Sequence, residues 1–282
     1  MFGSFLQIAG VGAASLATAC SFAQSTPPAR TPADQPLPRA DRNSRIAHEH
    51  LLEKARKGGI DVYFAGDSIT RRWGAGDPQY KDLLANWHQN FFGWNAANFG
   101  WGGDRIENIV WRLHNGELDG VNPKIIVLLA GANNVGNAPP GPDQASKIDD
   151  ITKGIKATLD CMQQKAPGAT IILMGILPRN DGPAGAAVVS TIHKINRRIS
   201  KFADGKRIRY LNINDKLADK EGKLFDGMTV DRLHLSVKGY QVWADALKPI
   251  FAELLGPPAR TDHAPPPTGD PSAQPSPRPG TP

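Results

Sequence analysis

Cysteine is nearly absent: Cys20 and Cys161 are the two in 282 residues. That excludes a disulfide framework and a four-ligand zinc site, and it leaves stability to an ordinary buried core. No stretch reaches the roughly 18 to 20 consecutive apolar residues of a membrane-spanning helix. No heptad and no period of roughly 20 to 50 residues recurs, which sets aside fibrous and solenoid classes. No Gly-Lys-Ser or Gly-Lys-Thr occurs, so a P-loop is missing as well. The charge is only mildly one-sided, 33 basic against 27 acidic side chains for a net +6. A pI near 9.3 leaves nucleic-acid or anionic-surface binding to be weighed against the motifs.

Proline, by contrast, is plentiful and unevenly placed. Residues 24–41 hold five of the 24 prolines and residues 256–282 hold ten, while 42–255 keep nine as punctuation. The two ends therefore read as a proline-rich linker and a disordered proline-rich tail around one folded domain at 42–255. Residues 1–23 carry no charged side chain, with an apolar Phe5–Leu16 segment before small residues ending in Ala23. The pattern predicts a secretory signal peptide cleaved after Ala23 and an exported protein, periplasmic or extracellular. A lipoprotein anchored at Cys20 is the lesser alternative, because Ala17 stands where a leucine is wanted. The tails cancel in charge, so the whole +6 falls on 42–255.

Within that span helices and strands alternate. Helical stripes run over Arg45–Lys57, Tyr80–Trp87, Arg105–His114, Gln144–Lys165, Ala186–Phe202 and Ser236–Leu255. Short apolar runs between them predict strands at Ile60–Ala65, Ala96–Phe99, Lys124–Ala130, Thr170–Gly175 and Arg207–Asn212. The unbroken Ile-Ile-Val-Leu-Leu of the third suits a strand buried on both faces of a parallel sheet. The expected fold is a three-layer α/β/α sandwich with a five-stranded, mostly parallel sheet.

In such sheets chemistry gathers at the carboxyl ends of the strands. Those ends read Gly66-Asp67-Ser68, Asn98-Phe99-Gly100-Trp101-Gly102-Gly103-Asp104 and Gly131-Ala132-Asn133-Asn134, and Asp231-Arg232-Leu233-His234 precedes the last helix. A serine becomes a nucleophile when a base takes its proton and a carboxylate orients that base. Ser68, His234 and Asp231 supply all three, the last two within one turn of chain. The Ser68 N–H, the Gly103 N–H and the Asn133 side-chain amide are the candidate donors to a developing oxyanion. Asp67, Trp73, Trp101 and Asn134 are candidates for the substrate pocket, the tryptophans as walls or stacking surfaces, with core packing as the plainer alternative for both.

These four blocks, Gly66-Asp67-Ser68, the glycine pair, Gly131-x-Asn133 and Asp231-x-x-His234, resemble the signature of the SGNH or GDSL hydrolases. The stretches Asn98–Asp104, Trp111–Leu118, Gly131–Asn134 and Leu177–Arg179 make the chain most similar, within that superfamily, to platelet-activating factor acetylhydrolase catalytic subunits and their bacterial relatives. The resemblance spans about 60–255. It implies a flavodoxin-like SGNH fold, Ser68 as nucleophile, His234 as general base, Asp231 as its partner, and an oxyanion hole from Ser68, Gly103 (or its neighbour Gly102) and Asn133. Asn134 stands where the commoner third block has Asp.

Other readings fare worse. Gly100, Gly102 and Gly103 lack the third glycine of a dinucleotide fingerprint, since Arg105 occupies it. His48 and His50 fall on different helix faces and read as solvated side chains, not metal ligands. Lys194, Arg197, Arg198 and Lys201 form the wet face of an amphipathic helix and are not interleaved with aromatics, so nucleic acid is not expected as a partner. The expectation is a cofactor-free, metal-free serine esterase that removes short acyl groups, acetyl first. Acetylated carbohydrate is the leading substrate, acetylated phospholipid or lysophospholipid the second, and a noncatalytic envelope-binding module is the alternative of another class. A homo-oligomer is compatible with the sequence.

Overall fold

The Ile125–Leu129 run is buried at every position, and it is the middle strand of the sheet. The computed structural model describes residues 1–3 and 30–273. The expected signal peptide, beyond its first three residues, and residues 274–282 lie outside that part. Everything below belongs to the compact unit that begins at Thr31.

In chain order the elements are α1 (Arg42–Lys57), β1 (Val62–Gly66), α2 (Ser68–Trp73), α3 (Lys81–Phe91), β2 (Ala96–Gly100), α4 (Ile106–Arg112), β3 (Ile125–Leu129), α5 (Ala132–Val135), α6 (Gln144–Lys165), β4 (Thr170–Met174), α7 (Ala186–Ile199), β5 (Ile208–Leu211), α8 (Asn214–Leu217) and α9 (Val237–Leu255). The five strands are all parallel, in the order β2-β1-β3-β4-β5. The chain runs outward from β1 to β2, then returns past β1 to β3. The topological switch point therefore lies between β1 and β3, where open α/β sheets place their ligands. Helices cover both faces, so the expected three-layer sandwich is the fold.

Side chains alternate across the sheet and sort the layers. Phe64 faces the layer of α3 and α9, where it meets Trp87 at 4.7 Å and Phe91 at 5.2 Å between ring centres. Tyr63, one residue earlier, faces the other side and stacks on Phe99 at 4.1 Å. On that side α6 buries Ile148, Ile151, Ile155, Leu159 and Met162 at helical spacing, and α7 buries Val188, Ile192, Ile195 and Ile199. The exposed Arg197, Arg198 and Lys194 lie on the opposite face of α7, as its periodicity requires.

Both proline-rich ends depart from expectation, for residues 31–41 and 256–273 pack against the body. Ala33 is fully buried, its N–H donates to Asp150 Oδ1 at 2.9 Å, and Leu37 N donates to Glu107 O at 3.0 Å. At the other end Gly93 N donates to Asp262 Oδ2 at 2.7 Å, Lys54 Nζ donates to Thr268 Oγ1 at 3.0 Å, and Asp270 accepts from Asn43 at 2.8 Å. Proline content predicted missing cores, and neither segment has one. They hold instead through backbone groups paired with side chains of the body, which composition does not report. The carboxyl-terminal strap also runs past Ala96–Asn98, beside the outer edge of β2. A strand edge left open invites pairing with other chains, and here the strap stands across a cavity from the edge without extending the sheet, while Lys54 Nζ donates to Asn98 O at 3.0 Å.

Smaller departures have local causes. The fourth helix ends at Arg112 and continues as a widened turn over Leu113–Glu117, which swings Glu117 back onto Arg112. His48 is not solvated: its Nδ1 lies 2.7 Å from the buried Glu117 carboxylate, and its ring packs on Trp111 at 4.8 Å.

Gly154 of α6 tests the seating of the amino-terminal segment. A Cβ there would lie 2.7 Å from both Cβ and O of Ala33. In an open helix Gly→Ala stabilises by about 1 kcal/mol. Here Gly154→Ala is expected to lower the urea midpoint, and a raised midpoint would show that residues 31–41 are not seated against α6.

Candidate active site

Ser68 is the first residue of α2, immediately after β1. Asp67 caps the helix, its Oδ1 accepting from Ile69 N at 2.9 Å, and this turn sets the half-buried Ser68 hydroxyl at the carboxyl edge of the sheet. Ser68 Oγ lies 2.9 Å from His234 Nε2, and His234 Nδ1 lies 2.7 Å from Asp231 Oδ2. A carboxylate can only accept, so Nδ1 carries the proton and Nε2 presents its lone pair to the serine hydroxyl. The three residues, 166 apart at the widest hydrogen bond, meet as the sequence predicts.

The segment that supplies His234 is tightly wound. Asp231 Oδ1 accepts from the N–H groups of Leu233 at 3.1 Å and His234 at 2.7 Å. Arg232 between them sits at φ +65°, a left-handed conformation uncommon for a side-chain-bearing residue, and its carbonyl accepts from Asn180 N at 2.9 Å. Burial works against the Asp231 carboxylate, but these N–H groups and the His234 ring hold it below its ordinary range. His234 is shifted down from its own ordinary value, first by burial and then by the nearby Arg72 cation, against the raising pull of Asp231. A neutral imidazole ready to accept a proton is the result.

The candidate oxyanion donors are held by one buried charge cluster. Asp104 is fully buried; its carboxylate accepts from Arg112 Nε at 2.7 Å and Arg39 at 3.3 Å, and its backbone carbonyl accepts from Asn133 Nδ2 at 2.8 Å. Arg112 also donates to Phe99 O at 2.9 Å, to Gly66 O at 3.3 Å and to Glu117. Burial raises the Asp104 carboxyl to about 6 in spite of both guanidinium groups. Gly103, at φ +76°, adopts a backbone that favours glycine, and the residue is exposed. Asn133 is half-buried, with a second amide N–H beyond the one given to Asp104.

Of the four candidates for the substrate pocket, Trp73, Asp67 and Asn134 are buried and line none, while Trp101 lines a small cavity with Arg39, Ser44 and His48. Trp73 is fully buried, ring centres 4.9 Å from Tyr240 and 5.0 Å from Trp243, with its indole N–H on Asn86. Trp101 is 7% exposed, donates to Ser44 Oγ at 2.8 Å and lies under Arg71. Asp67 is buried as the helix cap, its other oxygen has no partner, and burial raises it to about 7. Asn134 is buried with both ends occupied, accepting from Ile106 N at 2.9 Å and donating to Glu107 at 2.7 Å, which fixes the start of α4. Polarity near a strand end proved to be capping in the last two cases, and Trp73 proved to be core, while Trp101 stands outside the core cluster beside Arg71 and Ser44.

Sequence reasoning missed Arg39, Asp104, Arg112, Arg72 and Arg179. Arg112 was legible in principle, as a cation inside the apolar run Ile109-Val110-Trp111-Arg112-Leu113. Arg179 donates to Ala132 O at 2.7 Å and pairs with Asp181, bracing the Asn133 loop against the segment beside Arg232. Among the described residues no group of three or more His, Cys, Asp or Glu is arranged to hold a metal.

A family model described as "GDSL-like Lipase/Acylhydrolase family" matches residues 64–242. Platelet-activating factor acetylhydrolase IB subunit alpha1 of Bos taurus is 28% identical over 233 residues, covering 79% of this chain and 90% of that protein. Subunit alpha2 of Rattus norvegicus is 31% identical over 199 residues, covering 69% and 77%. A GDSL-like lipase from Bacteroides thetaiotaomicron shares the fold with a TM-score of 0.58 at 18% identity, over 74% of this chain and 98% of that one.

Arg72 reports on the imidazole. Its guanidinium reaches Asp231 Oδ2 at 3.5 Å and lowers the His234 pKa. With His234 in the general-base role expected from the sequence, ester hydrolysis needs the neutral ring, so kcat/KM is expected to rise with pH through that pKa. Removing the cation raises it, and Arg72→Ala is expected to move the acid limb of the kcat/KM profile to higher pH. An unmoved or downward-moved limb would contradict this electrostatic account.

Proposed function

The chain belongs to the GDSL-like lipase/acylhydrolase family and is a carboxylic ester hydrolase, and from that premise we propose a serine esterase that removes short acyl groups, acetyl above all, through an acyl-enzyme. The carrying observation is the relay Ser68–His234–Asp231, with contacts of 2.9 and 2.7 Å. In the proposed reaction Ser68 Oγ attacks the ester carbonyl carbon while His234 Nε2 takes the hydroxyl proton. Asp231 stabilises the imidazolium that forms. The negative charge on the carbonyl oxygen is met by the N–H groups of Ser68 and Gly103 and by the free N–H of the Asn133 amide. Collapse breaks the bond to the alcohol, which leaves with the proton from Nε2. Water then gives a proton to Nε2 and attacks the acyl carbon, and collapse breaks the acyl–Oγ bond, with Ser68 Oγ taking the proton back from Nε2 as the carboxylic acid is released.

Acetyl as the acyl group is supported by the relatives, whose names describe acetylhydrolases. For the alcohol we propose a carbohydrate hydroxyl. Polar groups that reach solvent beside the Ser68–His234 pair include Arg72, Asn133 and Arg232, next to the apolar Leu233 and Val230, and the polar ones offer partners to a hydroxyl-bearing substrate. Export, proposed from the uncharged apolar start and the small residues ahead of residue 24, would bring the enzyme to such polymers. An acetylated phospholipid is the second reading, favoured by the relatives' names.

The experiment is hydrolysis of p-nitrophenyl esters of increasing acyl length and of an acetylated-sugar panel by wild type and Ser68→Ala. Acetate esters are expected to turn over fastest, with Ser68→Ala lower in kcat by on the order of 10³ or more and still folded. A fully active Ser68→Ala would overturn the mechanism, and a preference for long acyl chains would overturn the substrate class.

A further inference from the structure

The amino-terminal segment ends at the candidate oxyanion loop. Arg39, two residues before the cap of α1, donates from one terminal nitrogen to Gly102 O at 3.0 Å and to Asp104 Oδ1 at 3.3 Å. Its Nε and other terminal nitrogen are held by Asp41 Oδ2 at 3.1 and 3.0 Å, so the guanidinium is fixed from behind. A Cβ on Gly103 would come within 3.1 Å of that same donating nitrogen.

The carbonyl of Gly102 and the N–H of Gly103 belong to one peptide group. In a planar trans peptide these two groups point in opposite directions. Anchoring the Gly102 oxygen on Arg39 therefore aims the Gly103 N–H away from Arg39. Glycine on both sides gives this peptide little rotational restraint of its own. Rotated about its flanking bonds by half a turn, it would present a carbonyl oxygen where a donor is needed, replacing attraction of the oxyanion with repulsion. Gly102 is half-buried and a Cβ there would touch nothing, so packing does not supply the missing restraint.

We infer that Arg39 is a positioning residue that holds the Gly102–Gly103 peptide with its N–H toward the reacting carbonyl, so that a segment outside the sheet-and-helix core completes the active site. The inference rests on the serine-esterase reading above. The fork geometry matters as much as the charge, because one guanidinium spans Asp41, Asp104 and the Gly102 carbonyl together, which a lysine ammonium cannot do.

The test measures kcat, KM and thermal midpoint for Arg39→Ala and Arg39→Lys on p-nitrophenyl acetate in the full chain, with Ser68→Ala alongside. Arg39→Ala is expected to lower kcat by about tenfold to a hundredfold, less than outright loss of an oxyanion donor, with KM changed less than about threefold. The acid limb of the pH profile should stay in place, because Arg39 does not contact His234. Arg39→Lys should fall between wild type and Arg39→Ala, and added guanidinium ion at low concentration should restore part of the Arg39→Ala rate. Unchanged kcat in Arg39→Ala with an inactive Ser68→Ala would overturn the positioning role alone. So would a loss of kcat that matches the loss of folded protein, or a loss carried entirely in KM. An active Ser68→Ala would bring down both this role and the esterase mechanism.

Discussion

The buried carboxylate of Asp104 is the tie on which the site's geometry depends. It takes one guanidinium from α4 and one from the amino-terminal segment, and its own carbonyl takes the Asn133 amide. Through Arg112 it also reaches the backbone at the ends of β1 and β2. The loops after β1, β2 and β3, which carry Ser68, Gly103 and Asn133, are thus referenced to one ion cluster. Burying such a cluster is a poor route to stability, since desolvation offsets most of the attraction, while removing one partner strands the others at a cost of about 3 to 5 kcal/mol. What the cluster does provide is direction. Apolar side chains can fill the same volume, but they cannot fix where a carbonyl or an amide points.

The same contrast explains what could be read in the sequence. The unbroken apolar run of β3 and the stripe of α6 carry their burial on their face, because local period encodes which side is covered. The meeting of Ser68, Asp231 and His234 was legible because a serine opening the helix after the first strand and an Asp-x-x-His just before the last helix are an unusual pairing of residue types in such a fold. Trp73 was misread for a reason that helix geometry supplies. It lies five residues after Ser68 on one short helix, which turns it well away from the serine's face and into the α9 layer. Asp67 and Asn134 were misread because a capping residue and a substrate-binding residue have the same composition.

What stayed hidden depends on partners far along the chain. Nothing near Arg39 announces Gly102 or Asp104, more than sixty positions away. Nothing near Lys54 announces that its amine will be buried between Asn98 O at 3.0 Å and Thr268, with burial lowering it to about 7. The proline-rich ends belong to the same class. Their composition rules out a core of their own, which is correct, yet says nothing of docking onto someone else's.

The carboxyl-terminal strap also sets an order in time. The hydrogen bond between Asn43 and Asp270 joins residues 227 positions apart, so it can form only after the chain has been made through residue 270. Long-range contacts of this kind are the slowest to be reached in folding. Until they form, β2 has its inner side paired with β1 and its outer edge bare. A nascent or refolding chain therefore passes through an interval in which the catalytic relay can already assemble while a sheet edge is still free to pair with another molecule. Yield on refolding should accordingly be limited by concentration during that interval, a property set by the strap and not by the Ser68–His234–Asp231 relay.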